Sequence, residues 1–350
     1  MVLQDLFITE FTTVKEALKK LDDTGKKMLL VTNDRVLKGV VTDGDIRRWI
    51  LKSGDLFEQV TKVMNESPKF IYENEKPNAK EVLKKNMIEA VPVLNSRKEV
   101  IDIIFWNDNF NRKLNFYKKL ETPVVIMAGG KGTRLEPYTK IIPKPLIPIG
   151  DTPIVERIIN RFTEYGCYNF FMTVNYKKNM IKAYFNDLKR DYEVSYIDEK
   201  IALGTAGSLS LIKNKIHSTF FVSNCDILIE GNYSDMLKYH KENKNKITLI
   251  TSLKHYTIPY GVIKLSESSD VKQMVEKPEY AYLVNTGMYI LEPECINDIP
   301  ENTFFHITEL INRYIEKGEK IGVYPVSENS WLDMGQFKEM ENMLEKLGAK

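Results

Sequence analysis

The residues best suited to chemistry sit in two short stretches, Gly129-Gly130-Lys131-Gly132-Thr133-Arg134-Leu135 and Pro143-Lys144-Pro145-Leu146. Ahead of the first runs Val124-Val125-Ile126-Met127-Ala128, apolar and rich in β-branched residues, which predicts a buried strand. Glycines after a strand let the backbone turn tightly and present bare N–H groups to an anion. Arg134 and Lys144 add side-chain cations, and the prolines flanking Lys144 disfavour a helix and predict an extended loop. The arrangement is a cradle for several phosphates. A P-loop needs Lys-Ser/Thr straight after its last glycine, whereas Gly132 is followed by Thr133 and Arg134. A dinucleotide fingerprint needs a third glycine where this chain has Leu135.

Further stretches supply partners for phosphate chemistry. Phe220-Phe221-Val222-Ser223-Asn224-Cys225-Asp226 is an apolar strand running into a carboxylate, and Trp331-Leu332-Asp333-Met334-Gly335 sets a second carboxylate in an apolar turn. Either aspartate alone would pass as a turn former. Val275-Glu276-Lys277-Pro278 puts an acid and a cation on a turn, and Asn285-Thr286-Gly287 places an amide beside a glycine. In Leu203-Gly204-Thr205-Ala206-Gly207 the small residues allow a base and a sugar to approach the backbone.

Taken in this order, the motifs resemble those of the sugar nucleotidyltransferases, with A-G-G-x-G-T-R-L after a strand, then P-K-P, L-G-T-A-G, E-K-P, N-x-G and W-x-D-x-G. The resemblance implies that a sugar 1-phosphate oxygen attacks the α-phosphorus of a nucleoside triphosphate and that pyrophosphate leaves. Joining two anions calls for fixed Arg and Lys and a divalent ion to cancel repulsion. Carried over residue by residue, Arg134 and Lys144 are the catalytic cations, and Asp226 and Asp333 hold Mg²⁺. Mg²⁺ takes one or two carboxylates and fills its shell with phosphate oxygens and water. Ala128, Gly129, Gly130, Gly132 and Thr133, with Gly204 and Thr205, border the nucleotide, and Glu199 is a further candidate for the base pocket. Lys277 meets the sugar phosphate, Glu276 a sugar hydroxyl, and Asn285 and Gly287 line the sugar pocket. The glycine loop and L-G-T-A-G look most like guanylyltransferases, which makes GTP the expected nucleotide.

These residues need a scaffold, and from Val124 onward apolar β-type and helical segments alternate. Phe170 to Val174, Val194 to Ile197 and Phe220 to Val222 read as strands, and Ile154 to Phe162, Met180 to Leu188 and Ala206 to Ile212 as helices. Asp151-Thr152-Pro153 is read as the N-cap and first turn of the Ile154 helix. The pattern is α/β, a Rossmann-like doubly wound domain over residues 122–350 with a mixed, mostly parallel sheet whose ligands bind at the carboxyl ends of strands.

The first 118 residues carry a faint repeat. Met28 to Thr32 and Leu37 to Thr42 are strands around Asn33-Asp34-Arg35, with a helix from Asp43; Ala90 to Leu94 and Val100 to Ile104 answer them around Asn95 to Lys98. Helices from Val14 to Leu21 and Asn78 to Lys85 precede the two copies. The unit resembles a tandem CBS-domain pair, a regulatory or oligomerisation module over residues 1–118. That resemblance implies an adenosine nucleotide at Thr42 and Asp45. In the second copy Phe105 replaces the hydroxyl residue, although Asp108 keeps the carboxylate. Asp43 and Asp45 equally suit a helix N-terminus. A polar segment from Asn107 to Glu121 predicts a helix and linker, with the boundary near Leu120.

A CBS pair ahead of such a domain is similar to the glucosamine-1-phosphate guanylyltransferases of nonulosonate (legionaminic acid) pathways, so glucosamine 1-phosphate is the expected acceptor. Mannose or heptose 1-phosphate, or UTP, CTP or dTTP, are the alternatives within the same chemistry. A non-catalytic sensor of nucleotides or sugar phosphates should have lost a metal carboxylate or the loop arginine, and this chain keeps Arg134, Asp226 and Asp333. The net charge of +2, with basic residues scattered, calls for neither nucleic acid nor an anionic membrane. Cys167, Cys225 and Cys295 are odd in number and widely spaced, which fits a reducing compartment. The four histidines show no metal spacing. Met1 to Asp5 lacks a signal-peptide pattern and no long uncharged apolar stretch follows, so a cytoplasmic homo-oligomer acting on small molecules is expected. Only 17 residues follow Asp333 and no hexapeptide repeat occurs, so no appended acyltransferase β-helix is expected.

Overall fold

The computed structural model describes residues 3–52, 54–86, 88–106 and 119–348. Two similar small units open the chain. β1 (Phe7–Ile8), β2 (Met28–Asn33) and β3 (Val36–Thr42) form a sheet in that order, β1 parallel and β3 antiparallel to β2. β4 (Ile71–Tyr72), β5 (Ala90–Leu94) and β6 (Val100–Phe105) repeat both the order and the directions. Asp34 and Arg35 have φ of 47° and 68°, as a two-residue hairpin loop that matches strand twist requires. Helix α1 (Val14–Thr24) opens with a reciprocal Thr13–Glu16 capping box and stops at Gly25, φ 62°. Helix α2 (Asp43–Leu51) follows β3, and α3 (Ala79–Asn86) is the counterpart of α1. The first unit's core takes in Ala90, Leu94, Val100 and Phe105 of the second, so the two pack as one module.

The larger unit is built on β7 (Val124–Ala128), a short hairpin of β8 (Pro148–Ile149) and β9 (Thr152–Pro153), β10 (Asn169–Val174), β11 (Glu193–Asp198), β12 (Phe220–Asn224), β13 (Ile227–Ile229), β14 (Ile247–Thr257), β15 (Val262–Leu265), β16 (Val271–Val275), β17 (Glu279–Leu291), β18 (Ile321–Val326) and β19 (Trp331–Asp333). Seven of them form the central sheet in the order β11-β10-β7-β12-β17-β14-β18. Within it β17 alone runs antiparallel to its neighbours. Alternation along β7 shows why both faces are covered: Val124, Ile126 and Ala128 enter one core, and Val125 the other. Helices Ile154–Thr163 and Tyr233–Glu242 supply the first core, and Ile307–Glu316 the second.

Several expectations need correction. Thr152 and Pro153 pair with Ile149 and Pro148 in the small hairpin, so Asp151 caps nothing; Pro153 takes the N-cap position and Asp151 accepts from Arg157. The helix expected over Ala206 to Ile212 is one α-turn, Gly204–Gly207, followed by a 3₁₀ turn, Ser208–Ile212. Lys144–Leu146 is also a 3₁₀ turn, because Pro145 falls where a helical first turn needs no donor. Most of the segment expected to be a linker helix, 107–118, lies outside the described residues, and so does Asp108. Leu120 and Glu121 already donate to Tyr165 and Gly166 of the larger unit.

Direct packing joins the two parts. Leu253 of β14 is buried in the N-terminal core, and α2 lies against β18. Arg47 of α2 pairs with Asp235 at 2.7 Å and stacks 4.4 Å over the Tyr324 ring, whose hydroxyl donates to Asp235.

Candidate active site

β7 ends at the carboxyl edge of the sheet beside β10 and β12. The turn that follows is shaped by what a side chain would strike. A Cβ on Gly129 would lie 2.5 Å from Glu199 Oε1. Gly132 has φ of 70°, and a Cβ there would lie 2.9 Å from Thr139 and 3.0 Å from Lys144. Gly132 also accepts the Thr139 hydroxyl at 3.0 Å, which fixes the loop against the helical turn behind it. Thr133–Leu135 closes the loop as a 3₁₀ turn, with Leu135 buried and Arg134 exposed.

Close packing at Gly132 brings Lys144 inward, where its buried ammonium makes an ion pair with Asp226. Asp226 directly follows Cys225 at the end of β12, and Asp333 is the last residue of β19. The β13–β19 ladder places Asp333 opposite Ile227, and Met334 N–H donates 2.8 Å to the Asp226 carbonyl. Two aspartates far apart in sequence are thereby set side by side. Burial, then the Asp226 charge, raises the Asp333 carboxyl above its ordinary value, and Lys144 and Arg134 oppose the rise. Two adjacent carboxylates suit a hard divalent ion whose other ligands are phosphate oxygens. Among the described residues no larger His, Cys, Asp or Glu group comes together.

Of the elements expected to bind the sugar, Asn285-Thr286-Gly287 lies against the end of β12. Gly287, φ 89°, lies so close to Asn224 that a Cβ would sit 2.4 Å from Asn224 Nδ2. The β14–β17 register slips at this point, and the buried Thr286 hydroxyl donates to Ile250. Asn285 accepts from Gly287 N–H at 3.1 Å and donates to the Tyr289 hydroxyl at 2.7 Å. Glu276 and Lys277 are exposed between β16 and β17, with Lys277 at φ 45°.

In L-G-T-A-G the glycines serve packing. A Cβ on Gly204 would lie 2.8 Å from the Phe305 carbonyl, which accepts Ala206 and Gly207 N–H, and the Thr205 hydroxyl accepts Ile307 N–H. Glu199, the further candidate for the base pocket, lies beside the glycine loop. Its buried carboxylate faces Gly129 and accepts Leu203 N–H, and burial raises its proton affinity. The contact of Asn224 with Gly287 has no signal in the sequence beyond a polar residue near a strand end. In the N-terminal module Thr42 and Asp45 bond to one another in the capping box of α2, and Asp45 also pairs with Arg48.

A family model described as Nucleotidyl transferase matches residues 123–350, and a CBS domain model matches residues 2–52. Among curated relatives, "Mannose-1-phosphate guanyltransferase 2" of Candida glabrata is 30% identical over 224 residues, covering 61% of this chain and 62% of its own. "UTP--glucose-1-phosphate uridylyltransferase" of Synechocystis is 31% identical over 237 residues, covering 61% and 60%. The chain thus spans about three fifths of the length of the curated relatives it matches. HddC from Yersinia pseudotuberculosis shares the fold, with a TM-score of 0.52 at 24% identity over 65% of this chain and 99% of that one.

Proposed function

This chain belongs to the nucleotidyl transferase family and carries a CBS domain at its N-terminus, and we propose that it is a sugar-1-phosphate guanylyltransferase making a GDP-sugar and pyrophosphate. The observation that carries the reading is the convergence of Lys144, Asp226 and Asp333 at the sheet edge beside the glycine loop.

In this reading the bare N–H groups from Gly129 to Gly132 and the Arg134 guanidinium hold the triphosphate, and Arg134 stabilises the charge that develops on departing pyrophosphate. Lys277 positions the sugar phosphate so that its oxygen reaches the α-phosphorus in line, and Glu276, Asn285 and Gly287 hold the sugar ring. Asp226 and Asp333 would hold Mg²⁺, which when bound neutralises phosphate oxygens. Lys144 balances the carboxylate charge. Glu199 supports GTP, since a carboxylate can accept from both donors on the Watson–Crick edge of guanine, N1–H and N2–H.

Glucosamine 1-phosphate is the acceptor favoured by the CBS fusion, and mannose 1-phosphate the one favoured by the relatives' names. A pyrophosphate-release screen of the four ribonucleoside triphosphates and dTTP against hexose, hexosamine and heptose 1-phosphates with Mg²⁺ separates these. Release with GTP and glucosamine 1-phosphate above all other pairs supports the full reading; no release with any pair overturns the chemistry. We place the enzyme in the cytoplasm as a homo-oligomer, with an adenosine nucleotide at Thr42 and Asp45. None of the helices in the described residues is long and apolar enough to cross a membrane. Calorimetry of AMP, ADP and ATP on the whole chain tests the nucleotide.

A further inference from the structure

We infer that the N-terminal module is a positioning part of the catalytic machinery, holding in place, through Asn329, the strand that carries Asp333. The inference rests on the reading of Asp333 as a metal carboxylate.

β18 connects to β19 through one 3₁₀ turn, Glu328–Ser330. The Asn329 side chain in that turn is held at both ends of its amide. Nδ2 donates 2.6 Å to the main-chain carbonyl of Asp22 in the last turn of α1, and Oδ1 accepts 2.6 Å from Lys346 of the C-terminal helix Phe337–Lys346. The last carbonyls of a helix lack an intrahelical donor. The Asp22 carbonyl takes the Gly25 N–H at 3.2 Å, and Asn329 gives it a second donor.

The turn has further ties within the larger unit. Lys254 reaches Glu328 at 2.9 Å and lies 5.1 Å over the Trp331 ring, and Ser330 accepts Glu230 N–H at 2.7 Å. β19 itself is only three residues long and pairs with β13 alone, a two-stranded ladder that is marginal by itself. Leu332 and Met334 are buried on either side of Asp333, and the anchoring of the preceding turn adds to this ladder and packing in setting its position. The turn's anchor across the domain boundary is a backbone carbonyl, so the tie holds only while α1 stays docked. Val14, Ala17, Leu18 and Leu21 bury α1 in the module core, and Arg47 fixes the neighbouring α2 to Asp235 and Tyr324. Anything that shifts α1 has a physical route to the metal carboxylate, provided it favours one arrangement of the two parts over another.

The test uses the full chain and two readouts, hydrogen exchange at the Met334 amide and the Mg²⁺ concentration for half-maximal turnover. Asn329→Asp keeps the acceptor for Lys346 and removes the donor to Asp22, whereas Lys346→Met removes the other arm and leaves that donor in place. Asn329→Asp should speed Met334 exchange by about tenfold and raise the Mg²⁺ requirement severalfold, with the KM for nucleotide nearly unchanged. Lys346→Met should move neither readout comparably. Arg47→Met, which loosens docking elsewhere, should speed the same exchange to a smaller degree and keeps the test open if Asn329→Asp folds poorly. Unchanged exchange in both Asn329→Asp and Arg47→Met, or an equal effect from Lys346→Met, would overturn the inference. Exchange does not depend on turnover, so full activity in Asp333→Asn would sink the metal reading separately.

Discussion

Lys144 and Asp226, 82 residues apart in sequence, meet as a buried ion pair at the end of β12. The pair explains why the lysine stands between prolines: Pro143 and Pro145 are both buried and fix the short turn that aims the ammonium inward. It also explains Gly132, whose missing Cβ gives the Lys144 stem its space. A buried pair of this kind is costly to break from one side, because it leaves the other charge uncompensated.

Asp226→Asn and Asp333→Asn should each lower kcat by about 10²–10³, the cost of losing one strong electrostatic contact in a transition state. The β13–β19 ladder is made by backbone groups, so Asp333→Asn should keep the wild-type thermal midpoint within a few degrees, whereas Asp226→Asn, which leaves the Lys144 ammonium without its partner, should melt lower. Steady-state turnover across a Mg²⁺ titration, alongside thermal melts, checks both halves; near-normal kcat in either variant rejects the two-carboxylate site.

Arg134 and Lys277 should separate two subsites. Arg134→Ala is expected to lower kcat by about 10²-fold with a smaller change in nucleotide KM, since the guanidinium acts on charge that develops as pyrophosphate leaves. Lys277→Ala is expected to raise the KM for sugar 1-phosphate about tenfold or more. A Lys277→Ala variant impaired in nucleotide KM alone would relocate the sugar phosphate.

Glu199 should set base choice. Glu199→Gln keeps the volume but replaces one acceptor oxygen with a donor, so the preference for GTP over ATP should fall at least tenfold in kcat/KM. Gly129→Ala should show a similar loss, because its Cβ would drive into the Glu199 carboxylate. Competition between GTP and ATP under matched conditions measures both, and an undiminished GTP preference in Glu199→Gln removes the residue from base recognition.

Much of this was legible in the sequence where one local rule decides. The unbroken apolar run from Val124 to Ala128 announces a buried strand, and the glycines after it announce a tight turn. The Asn33 to Arg35 turn and the two flanking apolar runs announce the first small unit. What was not legible depends on partners far away in the chain. Nothing near Asp151 says that Thr152 will pair with Ile149, and nothing near Gly287 names Asn224. Gly204 reads as a bare backbone for a base, yet its conformation is fixed by the Phe305 carbonyl. Contact between the two parts is likewise carried by Arg47 and Asn329, neither of which stands in a motif.

The boundary between the parts should weaken as pH rises, through Asp22. Burial, then the charges of Asp43, Glu328 and Asp23, push its carboxyl up to about 6 from the ordinary 3.8, with Lys346 opposing. A carboxyl raised in the folded state is more readily kept protonated there than in the unfolded chain. Its contribution to stability is therefore fully present below about pH 4 and is lost as pH rises through about 6. Asp22→Asn removes the ionisation while keeping the main-chain carbonyl that accepts from Asn329. The variant should melt a few degrees higher than wild type at neutral pH, with the gap closing near pH 4, an effect kept small by solvent screening. Thermal midpoints of both proteins from about pH 4 to 8 measure it, and a gap that stays constant across that range would mean that Asp22 does not carry the pH dependence of the boundary.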